Sequence, residues 1–205
     1  MKEQLHLMLD LETMSTKPNA AVVAIGARLF DLRNGVGKGF EVFIDPSLAT
    51  QFGETDIDTM NWWHKQPAYE LVFNGKTHPA DAVHRFLQFV GEHQPETVWA
   101  NSPSFDIVIM RHLCQQVQLK FPFHYRDERD FRTMKALAKD LNVDLEGCWQ
   151  GLTPHSPLDD ATAQAMAMHR TIAAMFSKPE APVAQDPALP RRETLRLRPA
   201  SASTE

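Results

Sequence analysis

The chain has 205 residues, of which 43% are apolar and 23% charged, with 21 Lys and Arg against 26 Asp and Glu. This composition is close to that of an average globular domain and excludes a disordered chain, a collagen-like fibre and a disulfide scaffold. The net charge of −5 argues against a protein that coats nucleic acid through bulk positive charge, though not against an enzyme that holds phosphate through metal ions.

The first predicted element is a strand near the start of the chain. Leucines occupy the odd positions from 5 to 11, and His6, Met8, Asp10 and Glu12 occupy the even positions that follow them. A period of two is typical of a β-strand, because successive side chains point to opposite faces. The segment therefore predicts a strand with one apolar face and two carboxylates on the other.

Two further strands are predicted to follow in an antiparallel meander. Residues 21–30 are rich in Val and Ile, Asn34-Gly35 is a strong hairpin signal, and residues 39–44 form the third strand. The next segments have helical periodicity at 56–66 and 79–93, followed by a short buried strand at 97–100.

The second half alternates in the same way. Helices are predicted at 105–117, 132–141 and 158–176, with a fifth strand at 123–125, and Ser156-Pro157 is a typical helix start. A meander followed by alternating strands and helices predicts an α/β three-layer domain: a mixed five-stranded sheet flanked by helices. We expect this domain to span 1–177, and the Pro- and Arg-containing segment 178–205 to be a flexible tail.

Asp10 and Glu12 are the first candidate functional residues. They are two positions apart on the first strand, so both side chains emerge from one face of an otherwise apolar segment. Neighbouring carboxylates repel each other and resist desolvation, whereas a divalent cation between them makes the arrangement favourable. The alternative is that they lie at a solvated strand end without a ligand.

Two later motifs add further carboxylates and a histidine. Asp106 follows Phe105 at the start of a predicted helix, where capping alone could explain it. His155 lies in the loop before the last helix and Asp160 in its first turn, so both can reach the same place. Asp159 is assigned to the helix dipole.

Taken in chain order, these motifs resemble those of the DnaQ-like 3′-5′ exonucleases of the ribonuclease H-like fold, the group with four acidic residues and a histidine (DEDDh). Asp-x-Glu at 10–12, Phe-Asp at 105–106 and His-x4-Asp at 155–160 follow the family order, and the resemblance covers residues 5–176. Two segments, 60–63 (Met-Asn-Trp-Trp) and 126–133, are similar more narrowly to an RNase T-like branch with bacterial and phage members.

The resemblance implies a metal-dependent enzyme that hydrolyses phosphodiester bonds at the 3′ end of single-stranded RNA or DNA and releases nucleoside 5′-monophosphates. His155 would be the general base on the attacking water. Two Mg²⁺ or Mn²⁺ ions would be held by Asp10, Glu12, Asp106 and Asp160. Relatives are often homodimers, so the implied partners are single-stranded nucleic acid with a free 3′ end and a second copy of the chain.

Seating the terminal nucleotides requires apolar side chains beside the metals. On the helix predicted at 56–66, Ile57, Met60 and His64 would set the inner face, with Trp62 almost opposite. Exposed tryptophan is a candidate platform for stacking a base, although Trp62 and Trp63 could both instead pack against protein. The resemblance adds three more candidates for this role, Leu11, Met14 and Phe105.

Other interpretations remain open at the level of sequence. The fold could serve a non-catalytic nucleic-acid-binding module, or a proofreading or recombination subunit that works with a partner. RNA and DNA are not separated, since any backbone carbonyl could contact a 2′-hydroxyl. Cys114 and Cys148 form no metal or redox motif, and no signal peptide or membrane-spanning run is found, so we expect a cytoplasmic protein without a membrane partner.

Overall fold

The computed structural model describes residues 4–177 and contains one mixed sheet with helices on both faces. The strands are β1 (Leu5–Thr13), β2 (Val22–Asp31), β3 (Gly35–Phe43), β4 (Thr97–Ala100) and β5 (Glu128–Asp130). The helices are α1 (Pro46–Ala49), α2 (Ile57–Trp63), α3 (Tyr69–Phe73), α4 (Pro79–His93), α5 (Val108–Gln116), α6 (Phe131–Asp140) and α7 (Pro157–Ser177). The segment 178–205, predicted as a tail, lies outside the described residues.

The sheet has the order β3-β2-β1-β4-β5, which places β1 at its centre. β1, β2 and β3 are antiparallel, and Gly35 takes a φ of 87° at the turn between the last two, as the Asn-Gly signal predicts. β4 runs parallel to β1, and β5 runs parallel to β4. The predicted five-stranded sheet, with a meander followed by parallel strands, is therefore confirmed.

The two faces of β1 support separate apolar clusters. Leu7 and Leu9 are buried on the face that α4 and α5 cover, whereas Met8 packs with Phe30 and Phe131 on the face that α6 and α7 cover. The predicted alternation along β1 is confirmed, and it gives the carboxylates at even positions a place on the α7 face.

The beginning of α7 lies unusually close to the sheet. A Cβ atom at Gly26 on β2 would overlap the backbone of Pro157, so only glycine permits this approach. Gly26 pairs with Asp10 in the β1–β2 ladder. The close packing therefore brings the His155 loop and the first turn of α7 up to the acidic part of β1.

The prediction of a fifth strand at 123–125 is wrong in position. The strand lies at Glu128–Asp130, where Val98 of β4 pairs with Glu128. Phe121 and Phe123 are buried and contact each other with ring centroids 5.6 Å apart. Their alternating burial arises because the connection between α5 and β5 packs these two rings against the main core, and not because they belong to a β-ladder.

The predicted orientation of α2 is wrong for Ile57 and His64, which are both exposed, although Met60 packs against the core and Trp62 is exposed as expected. Ile57 is 71% exposed, whereas Trp63 is 1% exposed and its indole N–H donates to the carbonyl of Thr13 at 2.8 Å. That buried hydrogen bond and the contact of its ring with Phe73 fix the inner face of the helix on Trp63.

Smaller differences concern element bounds. β3 begins at Gly35 and not at residue 39, because the tight turn allows pairing to start at once. The sequence predicts a single helix that begins at residue 105. In the structure, a wide π-helical turn occupies Pro103–Ile107, and the α-helix α5 begins after it at Val108. Within residues 4–177, no helix has the length and apolar character needed to cross a membrane.

Candidate active site

The carboxylates singled out by the sequence meet in a cavity of about 260 Å³ at one end of β1 and β4. β1 supplies Asp10 and Glu12 from the centre of the sheet, and α7 supplies Asp160 from its first turn. The structure thus gathers all five residues of the predicted catalytic set around this cavity: Asp10, Glu12, Asp106, His155 and Asp160.

Asp106 reaches the cavity from the π-helical turn after β4. Its side chain is 3% exposed, and Oδ1 accepts a hydrogen bond from the backbone N–H of Leu11 at 3.1 Å. Because Leu11 lies between Asp10 and Glu12, this bond fixes the third carboxylate against the first two. Wide π-helical turns occur frequently at functional sites, where they re-aim a side chain.

The loop before α7 is held by the aspartates that follow it. The backbone N–H of His155 donates to Asp160 Oδ2 at 2.9 Å, and that of Thr153 donates to Asp159 Oδ2 at 2.9 Å. His155 has a φ of 62°, a left-handed conformation that a non-glycine residue adopts only where its surroundings require it. Asp159 therefore braces the loop, a role more specific than the predicted interaction with the helix dipole.

The imidazole of His155 lies between the carboxylates and the tryptophans of α2. Ligand atoms of Glu12, His155 and Asp160 all lie within 4.8 Å of one another. The ring of Trp62 meets the imidazole edge-on, with centroids 4.8 Å apart. The histidine is thus partly enclosed and faces both the acidic cavity and the neighbouring apolar surface.

Burial and mutual repulsion make these carboxylates hard to ionise in the free protein. Burial raises the pKa values of Asp10 and Glu12 well above the ordinary range, and the negative charges of neighbouring carboxylates raise them further. Burial also raises the pKa of Asp106 to about 7, although the N–H of Leu11 acts in the opposite direction. The pKa of Asp160 is raised by burial too, against the hydrogen bond from His155.

This donor set fits a hard divalent cation. Carboxylate oxygens are the ligands that Mg²⁺ and Mn²⁺ prefer, and a bound cation offsets both the burial that raises these pKa values and the repulsion that adds to it at Asp10 and Glu12. The exposed fraction of Glu12 is 7% and that of Asp106 3%, so neither charge can be stabilised by bulk water alone.

Gln164 is a site residue that sequence reasoning missed. It is 4% exposed, lines the cavity, and donates from Nε2 to Asp10 Oδ1 at 2.8 Å. Its Oε1 is buried and has no hydrogen-bond partner within residues 4–177. The available signal was its spacing, because a residue four positions after Asp160 lies on the same face of α7.

A second cavity of about 530 Å³ adjoins the first and shares Leu11, Glu12 and Phe105 with it. Trp62 also lines this cavity and is 41% exposed, whereas Trp63 reaches it from a buried position. Met14, the remaining predicted substrate contact, is buried in the core and lines neither cavity. The residues that could hold a base here are therefore Leu11, Trp62 and Phe105.

Comparison with known proteins places the chain in a family. The model of the 3′-5′ exoribonuclease Rv2179c-like domain matches residues 5–172, which include every residue of the predicted catalytic set. No curated protein matches the sequence significantly.

Solved structures of exonuclease I are similar in fold. The E. coli enzyme with a dA16 oligonucleotide is 16% identical with a TM-score of 0.60, and the match covers 83% of this chain and 41% of that one. A zinc-bound E. coli complex with single-stranded DNA is 17% identical with a TM-score of 0.55, covering 85% and 40%. An inhibitor complex of exonuclease I is 12% identical with a TM-score of 0.60, covering 86% and 44%.

These matches confirm the predicted ribonuclease H-like fold. At such low identity they show the fold alone, and this chain spans less than half the length of the exonuclease I chains that it matches.

Proposed function

The chain belongs to the family of 3′-5′ exoribonuclease Rv2179c-like domains, and from that premise we propose that it is a metal-dependent enzyme that trims single-stranded nucleic acid from the 3′ end. The resemblance to DnaQ-like 3′-5′ exonucleases is confirmed by this membership. The products would be nucleoside 5′-monophosphates.

One observation carries the proposal. Four carboxylates from three separate parts of the fold meet a histidine in one cavity, although burial opposes their ionisation. A structural role does not explain such a group, because replacing buried, mutually repelling charges with apolar residues would stabilise the fold. A binding module without catalysis would need the surrounding surface and not this set of metal ligands.

We propose that the carboxylates hold two Mg²⁺ or Mn²⁺ ions, with Asp10, Glu12, Asp106 and Asp160 as ligands. When bound, the two ions would supply a water of lowered pKa and electrostatic stabilisation of the departing 3′-oxygen. Asp10 and Glu12 are presented by a central strand, which gives these ligands a rigid support.

His155 is proposed as the general base. It accepts a proton from the attacking water, whose oxygen forms a new bond to phosphorus while the bond from phosphorus to the 3′-oxygen breaks. The hydrogen bond from its own backbone N–H to Asp160 and the edge contact with Trp62 orient the ring. His155→Gln should therefore lose about 10²–10⁴-fold in rate while retaining divalent-ion binding.

The second cavity is proposed to receive the terminal bases. Leu11 and Phe105 line both cavities, and Trp62 offers an exposed ring next to His155. Base stacking on an aromatic ring contributes roughly 1–3 kcal/mol and tolerates any sequence. Trp63 is left out of this role because its indole N–H is bonded to Thr13 inside the core.

RNA is the substrate class that the family description favours, and single-stranded DNA is the second candidate because exonuclease I complexes hold DNA oligonucleotides. We also propose that the chain forms a homodimer, as the resemblance implies, and that it is located in the cytoplasm. Light scattering of the purified chain tests the dimer.

The decisive experiment uses matched RNA and DNA oligonucleotides labelled at the 5′ end, with Mg²⁺, with Mn²⁺ and with EDTA. We expect a metal-dependent ladder of products shortened from the 3′ end, and no ladder with Asp10→Asn, which keeps the side-chain shape. The faster polymer identifies the substrate class. A folded, metal-binding protein that cleaves neither polymer would favour a binding module or a subunit that requires a partner.

A further inference from the structure

Four basic residues recur at intervals of three positions along one edge of the domain: Arg126, Arg129, Arg132 and Lys135. We call them the basic row. The first lies in the turn before β5, the second on β5, and the last two in the first turns of α6. All four side chains are exposed, and β5 is the edge strand of the sheet.

The charges of the basic row are not consumed by ion pairs. Within residues 4–177, ion pairs join Lys17 to Glu54 and Arg111 to Glu128, and neither involves the basic row. The carboxylates interspersed in the same segment have other bonds. Asp127 accepts from the N–H of His124, and Asp130 accepts from backbone and hydroxyl groups at the start of α6. The four cations therefore remain available to an external anion.

One end of the basic row reaches the catalytic cavity. Lys135 lines that cavity together with the carboxylates, and Arg132 Nη2 donates to the carbonyl of Asn101 at 3.3 Å. The positive charge of Arg132 also lowers the pKa of Asp106, against the larger effect of burial. The row therefore begins where a 3′-terminal phosphodiester would be cleaved.

The other end lies well outside the cavity. Arg129 Nη1 donates to the carbonyl of Arg126 at 2.6 Å, so these two residues adjoin each other beyond β5. A strand rises about 3.3 Å and a helix about 1.5 Å per residue, which gives the row a length of roughly 15–20 Å. Phosphates of one strand in a duplex are spaced about 3.4 Å apart along the axis, so the row can meet more than one.

An exposed aromatic ring at the far end identifies the kind of ligand. Tyr125 is 63% exposed, the guanidinium of Arg126 lies 5.4 Å from its ring centroid, and the ring of His124 lies 4.2 Å away. Cations that follow a backbone, combined with rings on which bases stack, are typical of surfaces that bind single-stranded nucleic acid. The chain as a whole has a net charge of −5, so the row is a local feature.

We propose that the basic row holds the backbone of the single strand upstream of its 3′ end, with Arg132 and Lys135 nearest the scissile bond and Arg129 and Arg126 on more distant phosphates. This inference rests on the proposed function, because it extends the same site toward the body of the polymer. Phosphate contacts of this kind position the substrate without reading its sequence.

The test compares two substrates that differ in length. A nucleoside 5′-monophosphate p-nitrophenyl ester has no upstream phosphate, whereas a labelled oligonucleotide has many. In the full chain, the double variant Arg126→Gln/Arg129→Gln should raise KM for the oligonucleotide about tenfold or more. Its kcat/KM for the ester should equal that of the unmodified protein, because both residues lie away from the cavity.

A binding experiment tests the same idea without catalysis. Fluorescence anisotropy of a labelled oligonucleotide, measured in EDTA over a series of salt concentrations, gives the slope of log Kd against log salt. For single strands each lost phosphate contact should reduce that slope by about 0.7. The variants Arg85→Gln on α4 and Lys38→Gln on β3 remove one charge each far from the basic row, and both should leave the slope unchanged.

The outcomes separate this inference from the proposed function. If the double variant has an unchanged KM and an unchanged salt slope, the basic row does not bind the substrate backbone. The charges at β5 would then serve only to discourage other strands from pairing with this edge of the sheet. If the unmodified protein hydrolyses neither substrate, the proposed function fails. The salt dependence of binding, measured by anisotropy, still tests whether the basic row contacts phosphates. Arg126→Gln alone is the fallback, because Arg129 also donates to backbone carbonyls and its loss could perturb folding.

Discussion

Asp106 shows most clearly what the carboxylate cluster does to the stability of the free protein. Its pKa is about 7 in the folded chain against an ordinary value of 3.8, with burial as the main cause. The folded state therefore binds the proton more tightly than the unfolded state between these two values. The stabilisation that protonated Asp106 contributes to the fold is fully present below about pH 3.8. It is lost as the pH rises through about 7.

We predict that the free energy of unfolding in EDTA falls by an amount on the order of a few kcal/mol as the pH rises from 5 to 8. Asp106→Asn should reduce this dependence without removing it, because the amide does not titrate whereas Asp10, Glu12 and Asp160, whose pKa values burial also raises, remain. Urea unfolding at several pH values measures both. His6 acts in the opposite sense, since burial lowers its pKa and stability falls below about pH 6.5, but both proteins contain it. Equal slopes in the two proteins would contradict the prediction.

Gln164 gives a second prediction at the scale of one residue. Its amide donates to Asp10, and outer partners of metal ligands typically contribute 10–100-fold to metal affinity. Gln164→Met keeps the size of the side chain and removes the donor, so Mn²⁺ affinity measured by calorimetry should fall about tenfold or more. Met166→Leu, at an exposed position of the same helix, is the matched control. Affinity equal to that of the control would remove Gln164 from the site.

At the scale of elements, the site depends on how closely α7 approaches β2. Gly26 faces the backbone of Pro157, and the loop with His155 enters the cavity immediately before that residue. A methyl group at position 26 must push the first turn of α7 away from the sheet. It would therefore also move α7 away from Asp10, which pairs with Gly26 in the β1–β2 ladder. The position of one glycine thus decides whether the two halves of the carboxylate cluster meet.

We predict that Gly26→Ala destabilises the fold by about 1–3 kcal/mol and also weakens Mn²⁺ binding. Chemical unfolding and calorimetry measure the two effects. Gly91→Ala is the control, because a Cβ in this last turn of α4 has open space around it and alanine should add up to about 0.5–1 kcal/mol of stability. An unchanged metal affinity in Gly26→Ala would show that the cavity does not depend on this approach.

The two tryptophans of α2 illustrate how an element divides neighbouring residues between roles. Trp63 is fixed in the core by its hydrogen bond to Thr13, and Trp62 is left beside His155 at the surface. Neighbouring residues of a helix point about 100° apart, so Trp62 and Trp63 cannot both face the core. Trp63 is the buried one because its indole N–H donates to the carbonyl of Thr13 at the end of β1.

At the scale of the whole molecule, the free protein is strained by repulsion that divalent ions would relieve. A ligand that binds only the folded state stabilises it by about 2.7 kcal/mol at 100 times its dissociation constant. We predict that Mn²⁺ raises the unfolding temperature at pH 8 and has a smaller effect at pH 5, where protons already neutralise the carboxylates. Thermal unfolding with and without EDTA measures this. An equal shift at both pH values would count against the carboxylates as ligands.

Much of the fold was determined by local patterns in the sequence. The alternation along β1 and the Asn-Gly turn specify a strand and a hairpin through side-chain direction and backbone conformation, which act over a few residues. The three acidic motifs were recognisable because each combines a carboxylate with a strand end or a helix start. Their gathering into one site was an expectation that came from the resemblance to DnaQ-like exonucleases, and the structure places them together because β1 and β4 are parallel and end at the same edge of the sheet.

Only the tertiary structure decided the features that depend on contacts between distant segments. β5 has three residues without apolar alternation and is a strand only because β4 lies beside it. The burial of Trp63, the bond from Gln164 to Asp10 and the approach of α7 to Gly26 likewise join residues far apart in the chain. Short-range patterns specify which face a side chain takes along its own element, but packing between elements decides what that face meets.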